Sequence, residues 1–344
     1  MTYKEKILSV ILGVCFFILL FVGFECIARI LTAFHILSYY KPIELKKERV
    51  EKEELRLDFV LSENDSDLEY DPVLFWKPKK NWGVFNELGI RGSSIQENIA
   101  TVSGCTILTY GDSNTLGIIP GRYVDTPWPE VLASYLKDQS TPFRVLNMGV
   151  MGYSSYQGLE KFKQDVFVFH PSLIIISFGW NDAAPAMGIP DNEFHSFLSG
   201  IITPLSISRL FQVIFYYSDK VSLVFRKTQG NVSRVSYSDY VHNIEEFIRI
   251  ARSQGTSVLL LTRLHGDVSQ TASDNWRASV PKYNALLRVV AQKEQVPFVD
   301  LEQLFLDSYS NELVDECHVA EAGHNRIAQI LVSEIQHISL SCNK

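Results

Sequence analysis

A serine at the end of an apolar run is the first residue able to do chemistry. Ser113 closes the triplet Gly111-Asp112-Ser113 directly after "CTILTY". Two readings stay open at this point: an ordinary strand-to-helix turn in which Gly bends and Asp caps, or a nucleophile held up at a sheet edge. A serine hydroxyl is a weak nucleophile alone and needs a base, a group to orient that base, and donors for the oxyanion. Three further stretches supply those types in order. "NMGVMG" brings Asn147, Gly149 and Gly152, "GWND" brings Trp180, Asn181 and Asp182, and "DECH" brings Asp315 and His318.

Each stretch alone is weak, since a strand-end Gly usually marks a turn and a lone His usually packs. Their common placement gives them weight. "FRVLNM", "SLIIISF", "TSVLLLT" and "VPFVDL" read, like "CTILTY", as short strands buried on both faces. Amphipathic segments such as "WPEVLASYLKD", "YQGLEKFKQDVFVF" and "YNALLRVVAQKEQ" lie between them. Strands alternating with helices predict an α/β fold, a three-layer α/β/α arrangement around a five-stranded parallel sheet. Sites of such sheets form beyond the carboxyl ends of the strands, where all four stretches fall.

This ordered set resembles the SGNH (GDSL-like) hydrolase superfamily, whose four blocks supply Ser, Gly, Asn and His. The resemblance covers about residues 105–338 and implies a flavodoxin-like fold and acyl-ester chemistry without metal or cofactor. Carried over, Ser113 is the nucleophile, His318 the base and Asp315 its orienter. The Ser113 and Gly152 amides and the Asn181 side chain form the oxyanion hole. Asp315 and His318, three apart, are expected to face one way on a single helical turn. Gly111, Asp112, Asn147, Gly149, Trp180 and Asp182 take supporting roles, with Trp180 and Asp182 positioning Asn181. His324 reads as packing or capping, His170 sits at a strand entry away from the site, and His265 follows the fourth strand within reach of substrate.

Composition narrows the partners. Apolar residues make up 46% and charged ones 21% of the 344, which is globular, and a net charge of −7 with no basic stripe excludes nucleic acid as partner. Ile7–Phe24 is an uncharged run of 18 residues preceded by Lys4 and Lys6, which at about 1.5 Å per residue approaches the bilayer core. No Ala-x-Ala-like site follows it, and Phe24-Glu25 before Cys26 does not suit lipoprotein processing. The expectation is an uncleaved single-pass anchor, its helix continuing to Leu37, with Glu25 and Arg29 paired and Tyr39 and Tyr40 at headgroup level. Of the remaining cysteines, Cys105, Cys317 and Cys342 allow one disulfide or three buried thiols.

The expected organisation is therefore an anchor over 1–40, a charged stalk and flanking strand-and-turn segment over 41–100, and a catalytic domain over 101–344. An aromatic-rich insertion over 183–235 interrupts that domain as lid, extra core or second membrane contact. The anchor and the "DP…NELGIRG" stretch look like the membrane-anchored bacterial members, which implies a domain outside the cytoplasm in the cell envelope. What the resemblance implies is a serine esterase or deacetylase acting on O-acyl, in particular O-acetyl, esters, with acetylated envelope glycan as a candidate substrate. An O-acyltransferase using the same acyl-enzyme and a non-catalytic envelope assembly protein are the alternatives.

Overall fold

The computed structural model describes residues 3–37, 67–71, 73–94, 104–186, 190–193, 208–211, 213–214, 217, 232–266, 276–306 and 309–342. The charged stalk, Tyr39, Tyr40 and most of the insertion fall outside the described residues. Five parallel strands form the central sheet: β3 (Cys105–Gly111), β6 (Phe143–Asn147), β7 (Leu173–Ser177), β8 (Ser257–Leu261) and β9 (Phe298–Val299). Their spatial order is β6-β3-β7-β8-β9, so the chain starts near the middle and winds outward both ways.

Side chains alternate across the sheet into two apolar clusters. Leu108, Tyr110, Ile174, Ile176, Val258 and Leu260 face α4 (Ser155–Phe169), α6 (Tyr237–Ser253) and α7 (Val280–Glu294). Ile107, Leu173, Ile175, Leu259 and Leu261 face α3 (Trp128–Leu136) and α10 (Glu321–Ile335), which follows the four-residue helices α8 (Leu301–Leu304) and α9 (Tyr309–Glu312). Helices on both faces complete the expected three layers. β3 and β7 are buried throughout, whereas the outer strands depart from the sequence expectation. Three of the five β6 residues are partly exposed and Phe298 of β9 is exposed, because each outer strand has a neighbour on one side only.

Two short antiparallel pairs flank the sheet: β1 (Leu68–Asp71) with β2 (Phe75–Pro78), and β4 (Ile118–Ile119) with β5 (Arg122–Tyr123). Leu74, Phe75 and Trp76 enter the same cluster as α4, and the Phe75 and Tyr156 rings stack at 6.2 Å. A disulfide joins Cys105 at the start of β3 to Cys342, while Cys317 is a buried free thiol.

The N-terminal helix α1 runs over Tyr3–Ala33 and includes an apolar stretch, Cys15–Ala33, of mean hydropathy 2.1. It stops short of Leu37: the amides of Ile36 and Leu37 both fold back to Leu31 O, closing the helix in a turn. Glu25 and Arg29 pair at 2.7 Å as their spacing predicts. The Glu25 carboxylate also accepts from Ser208 Oγ at 2.7 Å and from the Arg209 and Leu210 amides at 2.9 Å each. Phe21 and Phe211 pack beside that contact, 6.2 Å between ring centroids. α1 is thus joined to the insertion by a carboxylate.

Candidate functional site

β3 delivers Ser113 to the carboxyl edge of the sheet. Asp112 caps the four-residue helix α2 (Ser113–Leu116), its Oδ1 accepting the Asn114 amide at 3.0 Å. Ser113 is the first residue of that helix, at the end whose backbone N–H groups favour negative charge. Asp112 is almost wholly buried, and its Oδ2 lies 3.2 Å from Arg263 Nη2 and 3.3 Å from Asn181 Nδ2. One carboxylate therefore caps the serine helix, balances a buried guanidinium and holds the Asn181 amide.

The loop after β6 carries the two glycines. Asn147 Oδ1 accepts the Gly149 amide at 3.1 Å, and Asn147 Nδ2 donates to Glu130. A Cβ on Gly149 would lie 2.4 Å from the Leu116 amide, so only glycine lets this loop touch α2. Gly152 has φ +73°, a left-handed conformation, and a Cβ there would meet the Trp76 ring at 3.1 Å.

Beyond β7, Trp180–Ala183 form the short helix α5. Asn181 Nδ2 donates to Tyr153 O at 3.1 Å and to Asp112 Oδ2, so both amide hydrogens are engaged. Trp180 and Asp182 position this helix rather than touching the Asn181 amide. Trp180 packs on Trp276, 5.5 Å between ring centroids, and Asp182 Oδ1 accepts the Ser155 amide at 3.0 Å and its hydroxyl at 2.5 Å. Burial pushes the Asp182 carboxyl up to about 6, against the opposing effect of the Ser155 bonds and Arg234.

Asp315 and His318 meet as expected, but on a bend and not on a helical turn. Asp315 Oδ1 accepts the Cys317 amide at 2.9 Å and the His318 amide at 2.7 Å, a side-chain-closed turn that competes with helix. A bridge between Leu313 and Val319 closes the loop, and α10 begins only at Glu321. His318 Nδ1 donates to Asp315 Oδ2 at 2.7 Å, which leaves Nε2 as the basic nitrogen. Burial raises the Asp315 carboxyl, but the His318 bond and charge and the two amides outweigh it and hold it well below the usual carboxylate range.

Asn114, the residue after Ser113, joins the two halves. Its Nδ2 donates to Cys317 O at 2.6 Å and its Oδ1 accepts the Val319 amide at 2.8 Å, bracketing His318 from both sides. Asn114 lies inside the Gly-Asp-Ser-Asn-Thr motif but had no role in the sequence reading. Trp76, Arg234 and Arg263 were also missed, being visible only once distant segments fold together. The other histidines lie apart. His324 is buried, and its Nδ1 accepts the Trp128 amide at 3.2 Å, a packing and capping role. His170 ends α4 with φ +42°. His265, after the fourth strand, is held by Glu302 at 2.6 Å and Gly266 O at 2.9 Å.

Asp315, Cys317 and His318 also place a carboxylate, a thiol and an imidazole within 4.8 Å of one another. Burial raises the Cys317 thiol well above its ordinary value, and His318 Nδ1 is engaged by Asp315 Oδ2.

The profile of the GDSL-like lipase/acylhydrolase family matches residues 109–326, more than half of the chain. Similar solved structures include a lipase/acylhydrolase from Enterococcus faecalis, 17% identical, covering 70% of this chain and 99% of its own with a TM-score of 0.48. An acetylxylan esterase from Geobacillus stearothermophilus is 17% identical over 70% of this chain and 96% of its own, with a TM-score of 0.45. No curated protein matches the chain. With the matched span running from Thr109 to Arg326, the chain belongs to the GDSL-like lipase/acylhydrolase family.

Proposed function

We propose that the protein is a serine esterase that removes O-acyl groups, acetyl in particular, through Ser113, His318 and Asp315. The observation that carries this reading is the Asn114 bracket, which ties the residue after Ser113 to both neighbours of His318. In the first half-reaction the Ser113 hydroxyl gives its proton to His318 Nε2 while Oγ bonds to the ester carbonyl carbon. The carbonyl π electrons move onto oxygen, where the amides of Ser113 and Gly152 and the Asn181 side chain receive them. Collapse breaks the bond to the alcohol oxygen, which takes the proton from His318 and leaves. Water, deprotonated by the same nitrogen, then releases the acid from the acyl-enzyme.

In this reading the site works outside the cytoplasm on a retained anchor. The Cys105–Cys342 disulfide fits an oxidising compartment. The contact of Glu25 with Ser208, Arg209 and Leu210 ties α1 to the insertion, which supports an anchor that is kept. Acetylated envelope glycan is the substrate class that this location and the acyl chemistry favour together.

One experiment tests the reading: full-length protein is extracted from membranes, its N-terminal residue is determined, and p-nitrophenyl acetate hydrolysis is compared with Ser113→Ala. The expected result is an intact N-terminus and a fall in kcat of about 10⁴-fold or more in the variant. Full activity in Ser113→Ala overturns the mechanism, and a mature chain beginning beyond Glu25 overturns the anchor.

A further inference from the structure

Two side chains from segments far from the four sequence blocks end on the same loop. Trp76, on β2, donates from Nε1 to Met151 O at 2.9 Å. Arg234, after the insertion, donates from Nη1 to Gly152 O at 2.8 Å. Both side chains are buried, and the Arg234 guanidinium lies over the Trp76 ring, 5.7 Å from its centroid.

We infer that Trp76 and Arg234 are positioning residues for the oxyanion, clamping the two peptide groups on either side of Gly152 so that its N–H is aimed at the reacting carbonyl. The inference rests on the reading of Gly152 as an oxyanion donor.

The geometry follows from the planar trans peptide, in which C=O and N–H point in opposite directions. The Gly152 N–H belongs to the same peptide as Met151 C=O. A donor holding that oxygen therefore fixes where the N–H points. Gly152, at φ +73°, has no side chain to restrict it, so rotation of the Met151–Gly152 peptide is resisted chiefly by what holds its two ends. Trp76 holds one end and Arg234 holds the following carbonyl. Preorganised donors are effective because they need no reorganisation as charge develops, and a donor free to rotate loses that advantage.

A buried indole N–H or guanidinium needs acceptors somewhere, so satisfaction alone would not single these residues out. Their convergence does. Arg234 spends its remaining donors on holding itself still: Nη2 reaches Gln157 Oε1 at 2.6 Å and Asp191 Oδ2 at 2.7 Å, and Nε reaches Asp191 Oδ1 at 3.2 Å. Asp191 also accepts the Ser154 hydroxyl at 2.7 Å, and Gln157 Nε2 donates to Leu74 O at 2.6 Å. The Tyr153 hydroxyl donates to Trp76 O at 2.7 Å, so the loop returns a bond to the strand that clamps it. Arg234 N to Ala184 O and Asp191 N to Arg234 O, both 2.7 Å, close the two ends of the insertion on each other. The β1–β2 pair and the insertion's stem thereby acquire a role in the reaction as supports of the oxyanion loop.

The test uses the full-length chain with Trp76→Phe, which keeps a ring and deletes the donor, and Arg234→Lys, which keeps the charge and loses the fork. With p-nitrophenyl acetate each variant should lower kcat by about 10–100-fold, with KM within about two-fold and an unshifted acidic limb of kcat/KM. A purely structural role would lower the melting temperature and leave kcat of the folded fraction intact. Hydrogen exchange at the Gly152 amide is read in parallel and should quicken at least about ten-fold in both variants, since the opening that admits exchange is what the clamps oppose. Unchanged kcat in both folded variants, or unchanged Gly152 exchange, overturns the inference. If the parent shows no Ser113-dependent turnover, the esterase reading fails by itself and the exchange rates still decide the clamp.

Discussion

The two halves of the site are held in different ways. On one side, the Gly149–Ser154 loop is buried between β3, α2 and α4, with Asn147, Trp76 and Arg234 each bonded to a different part of its backbone. On the other, Asp315 and His318 lie on a bend with no strand or helix between Leu313 and Glu321, and Asp315 is exposed. There the internal turn of Asp315 and the Asn114 bracket are the principal ties. The contrast matches the work each half is proposed to do. Oxyanion donors must already point at a charge that does not yet exist, whereas a base must exchange protons with serine, leaving group and water in turn.

The largest expected break in this contrast is chemical. Asp315→Asn preserves the shape of the bend while removing the charge that selects the Nδ1–H tautomer of His318 and stabilises its protonated form. kcat should fall by about 10⁴-fold, with folding little changed, because the exposed bend contributes few buried contacts. Steady-state kinetics with p-nitrophenyl acetate and a thermal melt check both parts. A loss of less than ten-fold would remove Asp315 from the triad.

A smaller and more diagnostic effect is expected at Asn114. Asn114→Ala deletes both ties and leaves Cys317 O and the Val319 amide without their partner. Stability should fall by about 1–3 kcal/mol from the unmade buried bonds. Turnover should fall by about 10–100-fold from the displaced imidazole. Hydrogen exchange across residues 313–319 should rise while exchange in residues 148–154 stays as in the parent. Equal loosening of both loops would mean that they form one unit and that the contrast between them is false.

How far the site was legible follows from sequence distance. The sheet announced itself because β3, β7 and β8 are short runs buried among helices, and the four blocks stood out because each ends a strand or begins a helix. Outer strands were over-read: periodicity shows how apolar a segment is and not whether a neighbour covers it, so β6 and β9 looked more buried than they are. Asp315 and His318 were found but set on a helical turn, since a spacing of three fits helix and side-chain-closed bend alike. Asn114 directly follows the Gly111-Asp112-Ser113 triplet and was still unread, because its partners lie 203 and 205 residues away. Trp76 and Arg234 bond to residues 75 and 82 positions distant, and a Trp in "LFWKP" carries no local mark of where its N–H will point.

The smallest predicted effect sharpens the well-held side. Asp182 is fully buried, bonds Ser155 at the start of α4, and keeps its second oxygen, Oδ2, unpartnered among the described residues. Its folded-state value near 6 stands above the ordinary 3.8, so between these values the native state binds more protons than the unfolded chain. The stability it contributes is therefore complete below about pH 4 and is lost as pH rises through about 6. At pH 7 the ionised form costs up to about 3 kcal/mol relative to that acidic limit. Asp182→Asn keeps an oxygen for the Ser155 donors and has no charge to bury. The difference in unfolding free energy between parent and variant should thus fall steadily from pH 4 to pH 7, while kcat changes by no more than a few-fold. Taking the difference cancels the other titrating groups, including Glu130, which burial raises to about 7 against Arg91, and His324, which burial lowers to about 3. A pH-independent difference would mean that Asp182 stays ionised throughout this window, and that the buried support of the Asn181 helix is a charged one.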